Sequence, residues 1–291
     1  MLLHSFFQVL IKTTNKKRKS ILYSKIVQIL YFFSYLFHMT TPKLVFIVPY
    51  RDREQQLHFF QKQMKEVMKN VSSEDYKILY IHQCDNRGFN RGAMKNIGFL
   101  FVKQYYPETY HNITLVFNDI DTMTYTADFL NYETVQGRVK HFYGYRHALG
   151  GIVSMVASDF EKINGYPNFW SWGYEDNMLQ YRVLQAKLFI DRNQFYPIMD
   201  KNIIHFGDGL EKEVNRSEFE RYRHETKEGI DSITNLEYHY DESTGFVNVS
   251  SFQTGKEENV KTKSMYDIRS GSKPFGNLTL FRKSSMKLLF H

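Results

Sequence analysis

An α/β fold in one domain, with a mixed, mostly parallel sheet and helices on both faces, is predicted by three observations. Short apolar runs alternate with longer amphipathic runs from residue 44 to residue 121. Each apolar run closes on a turn former or on polar loop residues, as buried strands do. At 291 residues the chain can bury one substantial core, so one domain with extensions is expected.

The elements follow in order. Residues 44–48 form an apolar run closed at Pro49, the pattern of a buried strand. Residues 53–70 contain neither glycine nor proline and read as a helix. Residues 77–83, with Ile78, Tyr80 and Ile81, form a second strand, and 91–106 a second helix stopped by Pro107. A third strand over 113–117 runs straight into Asn118, Asp119, Ile120 and Asp121. Such β-α-β-α-β order implies parallel strands, whose ligands collect at the strands' carboxyl ends. Residues 49–53, 84–91 and 119–121 all fall at those ends. Further on, 150–156 reads as a strand and 159–163 as a short helix ending at Gly165. Residues 175–185 form a helix with Leu179, Val183 and Leu184 towards the core, and 215–229 a charged helix. Residues 236–240 and 246–249 flank a turn as a hairpin.

Charge divides the chain into three. Residues 1–43 carry +7 and residues 256–291 carry +5, so the middle, 44–255, carries −5 of the total +7. Nucleic acid is therefore not an expected partner, because polyanion binding needs clustered positive charge. The N-terminal 1–43 is a basic and apolar extension: Lys16-Lys17-Arg18-Lys19 precedes an apolar run over 21–37 that Lys25 and Gln28 interrupt. That order suits a membrane anchor, although a spanning helix needs about 20 apolar residues. An interfacial helix or a dispensable extension suits it as well, so membrane-associated and cytoplasmic locations both stay open. Segment 256–291 loses periodicity and reads as a basic tail. Cys84, the only cysteine, excludes an internal disulfide and is expected as a small buried residue after a strand.

The chemistry-bearing residues cluster in four motifs. Trp170-Ser171-Trp172-Gly173-Tyr174-Glu175-Asp176 holds both tryptophans of the chain and leads into adjacent carboxylates at a helix start. Aromatic faces beside carboxylates hold sugars, and the helix dipole favours an ionised carboxylate there, though acids at helix starts are also common on solvated surfaces. Asp119 and Asp121 at a strand end suit a hard divalent cation or a solvated turn. His205, after Ile203 and Ile204, suits Mn²⁺ or a structural hydrogen bond. Pro49-Tyr50-Arg51-Asp52-Arg53, repeated one β-α unit later by Phe89-Asn90-Arg91, offers guanidinium forks to phosphate and an aromatic face to a base, or is a helix N-terminus with solvated charges. Gly150-Gly151 permits close backbone approach.

Taken in order, these motifs resemble the β-1,4-galactosyltransferase family, GT-A enzymes that include related N-acetylgalactosaminyltransferases. The resemblance runs from about residue 44 to residue 252 and includes Gly150-Gly151-Ile152-Val153-Ser154, Ile163-Asn164-Gly165-Tyr166-Pro167-Asn168 and Ile204-His205. It implies a Rossmann-like GT-A catalytic domain over 44–255. It further implies that Pro49, Tyr50, Arg51, Arg53, Phe89, Asn90 and Arg91 hold UDP, with Asp119 and Gly151 at the donor. Asp121 and His205 would bind the metal, Mn²⁺ in this family. Glu175 would hydrogen-bond the donor sugar, Asp176 would deprotonate the acceptor hydroxyl, and Trp172 would ride on a closing loop. Trp170 is grouped with the residues that face the sugars.

Departures from the family pattern bear on specificity. Asn202 stands where the family has a methionine ligand, and its harder amide oxygen would let Mg²⁺ compete. Asn177 replaces an acid that contacts the acceptor, and the family's disulfide cysteines are absent. Ala148 occupies the position that screens the donor's C2 substituent, leaving room for UDP-GalNAc or UDP-GlcNAc beside UDP-galactose. The implied reaction is inverting, metal-dependent transfer from a UDP-sugar donor to a glycan or glycoconjugate acceptor. A non-catalytic module binding sugar or nucleotide-sugar, or a retaining transferase on the same fold, are the alternatives.

Overall fold

The structure, a computed structural model, describes residues 40–207, 209–271 and 274–275. The proposed membrane anchor or interfacial helix before residue 40 lies outside the described residues, as does 276–291. Among the described residues no helix is long and apolar enough to cross a membrane.

The first half follows the expected alternation: β1 (Leu44–Tyr50), α1 (Glu54–Val67), β2 (Tyr76–Gln83), α2 (Arg91–Tyr105), β3 (Thr114–Asn118) and β4 (Thr122–Thr124). Then come β5 (Arg138–Gly144), β6 (Ile152–Val156), α3 (Ala157–Lys162), α4 (Glu175–Gln185), β7 (Phe189–Asp191), β8 (Tyr196–Pro197) and β9 (Ile203–His205). The chain continues through β10 (Glu211–Asn215), α5 (Arg216–His224), β11 (Thr234–Asp241), β12 (Phe246–Gln253) and β13 (Lys263–Asp267).

The main sheet runs β11-β12-β2-β1-β3-β6-β5-β7, with β8 added along β5. It is mixed: β12, β2, β1 and β3 are parallel neighbours, while β6 is antiparallel to both β3 and β5. Every residue of β1, β3 and β6 is buried, which explains why their sequences are unbroken apolar or small runs rather than alternating ones.

Register places the site. Leu44 pairs with both Tyr76 and Thr114, so the parallel strands β1, β2 and β3 start in register and run towards the same carboxyl edge. Antiparallel β6 starts opposite that edge's last residue, with Ile152 facing Asn118. The Gly150-Gly151 turn is thereby delivered beside Asp119, whose N–H donates to the Gly151 carbonyl at 3.0 Å.

Four expectations need correction. The charged helix ends at His224 instead of Gly229, because the Glu225 carboxylate accepts from the Lys227 and Glu228 N–H groups and turns the chain. Leu184 is 38% exposed: Leu179 and Val183 share the buried face, and the next residue rotates off it. Cys84 is exposed, its Sγ beside the His82 ring nitrogen at 3.4 Å. Residues 263–267, expected in a tail, form β13 and pair antiparallel with β10, and Phe275 packs on Phe219.

Candidate active site

The site is assembled from four segments at the carboxyl edge of the sheet. After β1, Arg51 donates from Nη1 to the Arg87 carbonyl at 2.6 Å and lies 5.5 Å from the Phe89 ring centroid. Arg91, at the start of α2, lies 5.6 Å from the same ring and 3.4 Å from Glu175 Oε1. Phe89 is thus flanked by two guanidinium groups, one of which reaches the carboxylates of α4. Arg53 occupies the position before α1.

The Trp-containing turn aims α4. Ser171, Gly173 and Tyr174 all have positive φ, at 71°, 108° and 74°, and two of them are not glycine. Such backbone costs energy and persists where neighbours fix it. Here Tyr174 stacks on Tyr222 of α5 at 4.9 Å, and the Trp172 N–H donates to the Glu213 carbonyl of β10 at 2.8 Å. The Leu149 N–H donates to the Asp176 carbonyl at 3.0 Å, and Asn177 Nδ2 donates to the His147 carbonyl at 3.3 Å. Those two bonds seat the start of α4 on the loop that carries Ala148 and Gly150.

Glu175 is 3% exposed, whereas Asp176 keeps about a quarter of its side chain open, at 26%. The Asp176 carboxyl is pushed up to about 7, first by burial and then by the Glu175 and Asp119 carboxylates, against the pull of Lys95 and Arg91. Lys95, from α2, is 1% exposed with Nζ 3.2 Å from Asp176 Oδ1 and 3.9 Å from Asp119 Oδ1. Burial alone would lower its ammonium, but the surrounding carboxylates outweigh that and hold it protonated.

Asp121 and His205 meet through β4 and β9. Thr122 pairs with His205, and the Phe206 N–H donates to the Asp121 carbonyl at 2.7 Å. His205 Nδ1 lies 3.2 Å from the Tyr143 hydroxyl, which also accepts from the Met199 N–H. In the tautomer that donates from Nδ1, Nε2 keeps the lone pair a metal requires. Among the described residues no three His, Cys, Asp or Glu side chains gather to hold a metal by themselves. One carboxylate and one exposed imidazole on adjacent backbone fit an ion completed by a ligand's oxygens. Asp119 Oδ1 is buried and lacks a hydrogen-bond partner, as suits an atom placed for something else to meet.

An unbroken run of contacts therefore links Arg51, Phe89, Arg91, Glu175, Asp176, Lys95 and Asp119, and Asp121 with His205 follows two residues on. Five residues expected there are engaged elsewhere. Trp170 is 1% exposed, stacked 5.7 Å from Phe252 with the Arg87 guanidinium 4.7 Å from its own ring centroid, and its Nε1 donates to the Lys256 carbonyl. Asn90 is fully buried as the cap of α2, accepting from the Ala93 N–H and donating to the Asn168 carbonyl. Tyr50 is 7% exposed and edge-on to His82 and Phe246, so no ring face is open for a base. Pro49 is held in β1 opposite Ile81. Asn202 donates from its side-chain amide to Asp200 Oδ1 at 2.8 Å. Lys95 and Tyr143 escaped sequence reading.

A mixed α/β sheet whose strand ends gather acids, arginines and a histidine is the GT-A glycosyltransferase architecture. Two family models match the chain, the N-terminal region of glycosyl transferase group 7 over residues 36–133 and a galactosyltransferase domain model, described as the N-terminal domain of galactosyltransferase, over 134–206. The chain belongs to the β-1,4-galactosyltransferase family. It is 30% identical over 159 residues to xylosylprotein 4-beta-galactosyltransferase of Caenorhabditis elegans, covering 52% of this chain and 53% of that one. It is 28% identical over 207 residues to human beta-1,4-galactosyltransferase 6, covering 67% of this chain and 52% of that one. The chain thus spans about half the length of the curated relatives it matches. The catalytic domain of Drosophila β1,4-galactosyltransferase 7, solved with xylobiose, superposes with a TM-score of 0.58 at 22% identity, over 75% of this chain and 96% of that one. A mutant of that enzyme, solved with manganese, UDP-Gal and xylobiose, gives 0.56 at 21%, over the same shares of the two chains.

Proposed function

We propose that the protein is an inverting, metal-dependent glycosyltransferase. It would move galactose or an N-acetylhexosamine from a UDP-sugar to a glycan acceptor with formation of a β-linkage. The observation that carries this reading is convergence on the turn after β3: Lys95 links Asp119 to Asp176, next to Glu175, and the β4–β9 pairing sets His205 beside Asp121, two residues after Asp119. Family membership supports the same chemistry, as does a relative's structure holding manganese, UDP-Gal and xylobiose together.

In this reading Arg51 and Arg91, on either side of Phe89, receive the nucleotide end of the donor. Asp121 and His205 would hold Mn²⁺ or Mg²⁺, with diphosphate oxygens filling the remaining positions. Such an ion, when bound, offsets negative charge on the departing diphosphate. Glu175, kept in place by Arg91, accepts from donor-sugar hydroxyls, and Asp119 lies beside it. Asp176 takes the proton from the acceptor hydroxyl as that oxygen attacks C1 of the donor sugar. A carboxylate with its proton affinity near neutrality suits a general base, since it is both ionised and basic enough to act. The buried Ala148, with no side chain beyond Cβ, is consistent with donors that carry an acetamido group.

The test is a screen of UDP-sugars for UDP release with Mn²⁺ and with Mg²⁺, run on wild type and on Asp176→Asn. Donor binding should persist in the variant while transfer falls by about 10²-fold or more. Release of UDP from no donor would remove the transferase reading. An α-linked product, seen by NMR at the anomeric proton, would remove inversion.

A further inference from the structure

The mechanism above gives no task to Lys95, yet at 1% exposure it is the most buried lysine, arginine, aspartate or glutamate among the described residues. A lysine ammonium is almost never buried unless paired, so its partners indicate its purpose. They are Asp176 Oδ1 at 3.2 Å, Asp119 Oδ1 at 3.9 Å and the Tyr166 ring at 4.5 Å. Among the described residues, Lys95 is the side chain recorded within hydrogen-bond distance of an Asp176 carboxylate oxygen.

That contact makes the two oxygens of Asp176 unequal. Oδ1 faces the ammonium, and Oδ2 lies against Gly150, where a Cβ would come within 2.2 Å of it. Glycine at 150 therefore leaves room for Oδ2. The groups facing Asp176 are Lys95 and Arg91 from α2, Glu175 from its own helix and Asp119 from the turn after β3. Arg91 is already engaged with Glu175.

We propose that Lys95 is a positioning residue: its ammonium clamps Asp176 through Oδ1 and ties it to Asp119, so that Oδ2 alone is presented to the acceptor hydroxyl. The inference rests on Asp176 serving as the base. It explains why a charge is buried here at all. Two carboxylates required on the same cleft repel each other, and a cation between them fixes their separation as well as their charge.

A double-mutant cycle tests it. Lys95→Met should lower kcat on the order of 30-fold in the wild-type background, but less than about 3-fold when Asp176→Asn is already present. The donor KM and the UDP dissociation constant should move less than about 3-fold in either background. Equal losses in both backgrounds, or a change confined to KM, would show a merely structural residue and overturn the proposal. Should Lys95→Met fail to fold, Lys95→Gln fills the same corner of the cycle with a neutral N–H donor. A second readout needs no turnover: the ¹³Cγ resonance of Asp176, followed against pH in wild type and in the Lys95 variant. Its midpoint should rise by about one pH unit or more once the ammonium is gone. An unmoved midpoint overturns the clamp. If wild type transfers no sugar in the donor screen, the transferase reading fails, while the resonance still decides whether Lys95 governs Asp176.

Discussion

The Phe206 N–H donates to the Asp121 carbonyl at 2.7 Å, which fixes His205 beside a residue 84 positions earlier in the chain. Backbone pairing, rather than side-chain packing, thus sets the spacing of the two proposed ligands. Because β4 and β9 supply the frame, truncating either ligand should leave the fold intact and remove only the ion. His205→Ala and Asp121→Asn are each expected to weaken Mn²⁺ binding by about 10²-fold, read by electron paramagnetic resonance of free Mn²⁺ with UDP present. Thermal stability should stay within about 1 kcal/mol of wild type, since Asp121 is only partly buried, His205 is exposed, and the β4–β9 pairing is made by backbone. Unaltered Mn²⁺ affinity in either variant would remove that residue from the ligand set.

The elevated Asp176 carboxyl predicts the pH profile and its direction. Burial comes first among the causes, with Glu175 and Asp119 adding and Lys95 and Arg91 opposing. A base must lose its own proton before it accepts another. Turnover should therefore climb as pH rises through about 7 and level off above it. On the acid side it should fall about tenfold per pH unit. Measured between about pH 5.5 and about pH 9 with metal and donor saturating, a flat profile would contradict Asp176 as the base.

Much of this arrangement was legible from residue order, and the exceptions have physical reasons. Strands β1 to β3 and helices α1 and α2 were visible because local apolar periodicity dictates them. The acids of the site were visible because polar residues at strand ends rarely serve packing. What could not be read was long-range pairing. β13 joins β10 with Asp267 opposite Glu211, a closure that no local pattern announces. β12 likewise inserts parallel to β2 although it leaves a hairpin. Lys95 was hidden differently: all eight residues from Gly92 to Phe99 are buried, so the usual rule that lysine marks the solvent face fails there. Asn90 looked like a phosphate contact because a helix cap and an anion site use the same kind of residue at the same place.

The two tryptophans, adjacent in one motif, illustrate how a single turn assigns opposite roles. Positive φ at Ser171 swings Trp170 inward and leaves Trp172 partly exposed on the loop held by β10. Trp170 packs against Phe252, meets Arg87 and donates its indole N–H to the Lys256 carbonyl. Removing it leaves a large void and takes one of two donors from the Lys256 carbonyl, which the Thr254 hydroxyl also reaches at 2.6 Å, so Trp170→Ala should cost about 3–5 kcal/mol of stability, most of it from the void. Urea titration would read this as a lower midpoint. Any fall in transfer should scale with the folded fraction, without change in acceptor preference. Trp172→Ala removes no buried contact of comparable size and should shift stability by less than about 1 kcal/mol. Its effect should appear in donor KM and in the ratio of donor hydrolysis to transfer, if the partly exposed indole three residues before Glu175 shields the donor from water. If Trp172→Ala proved the more destabilising of the pair, the division drawn by the turn would be wrong. A Trp170→Phe variant supplies the check on mechanism. It keeps an aromatic ring against Phe252 and loses the five-membered ring with its N–H, so most of the lost stability should return.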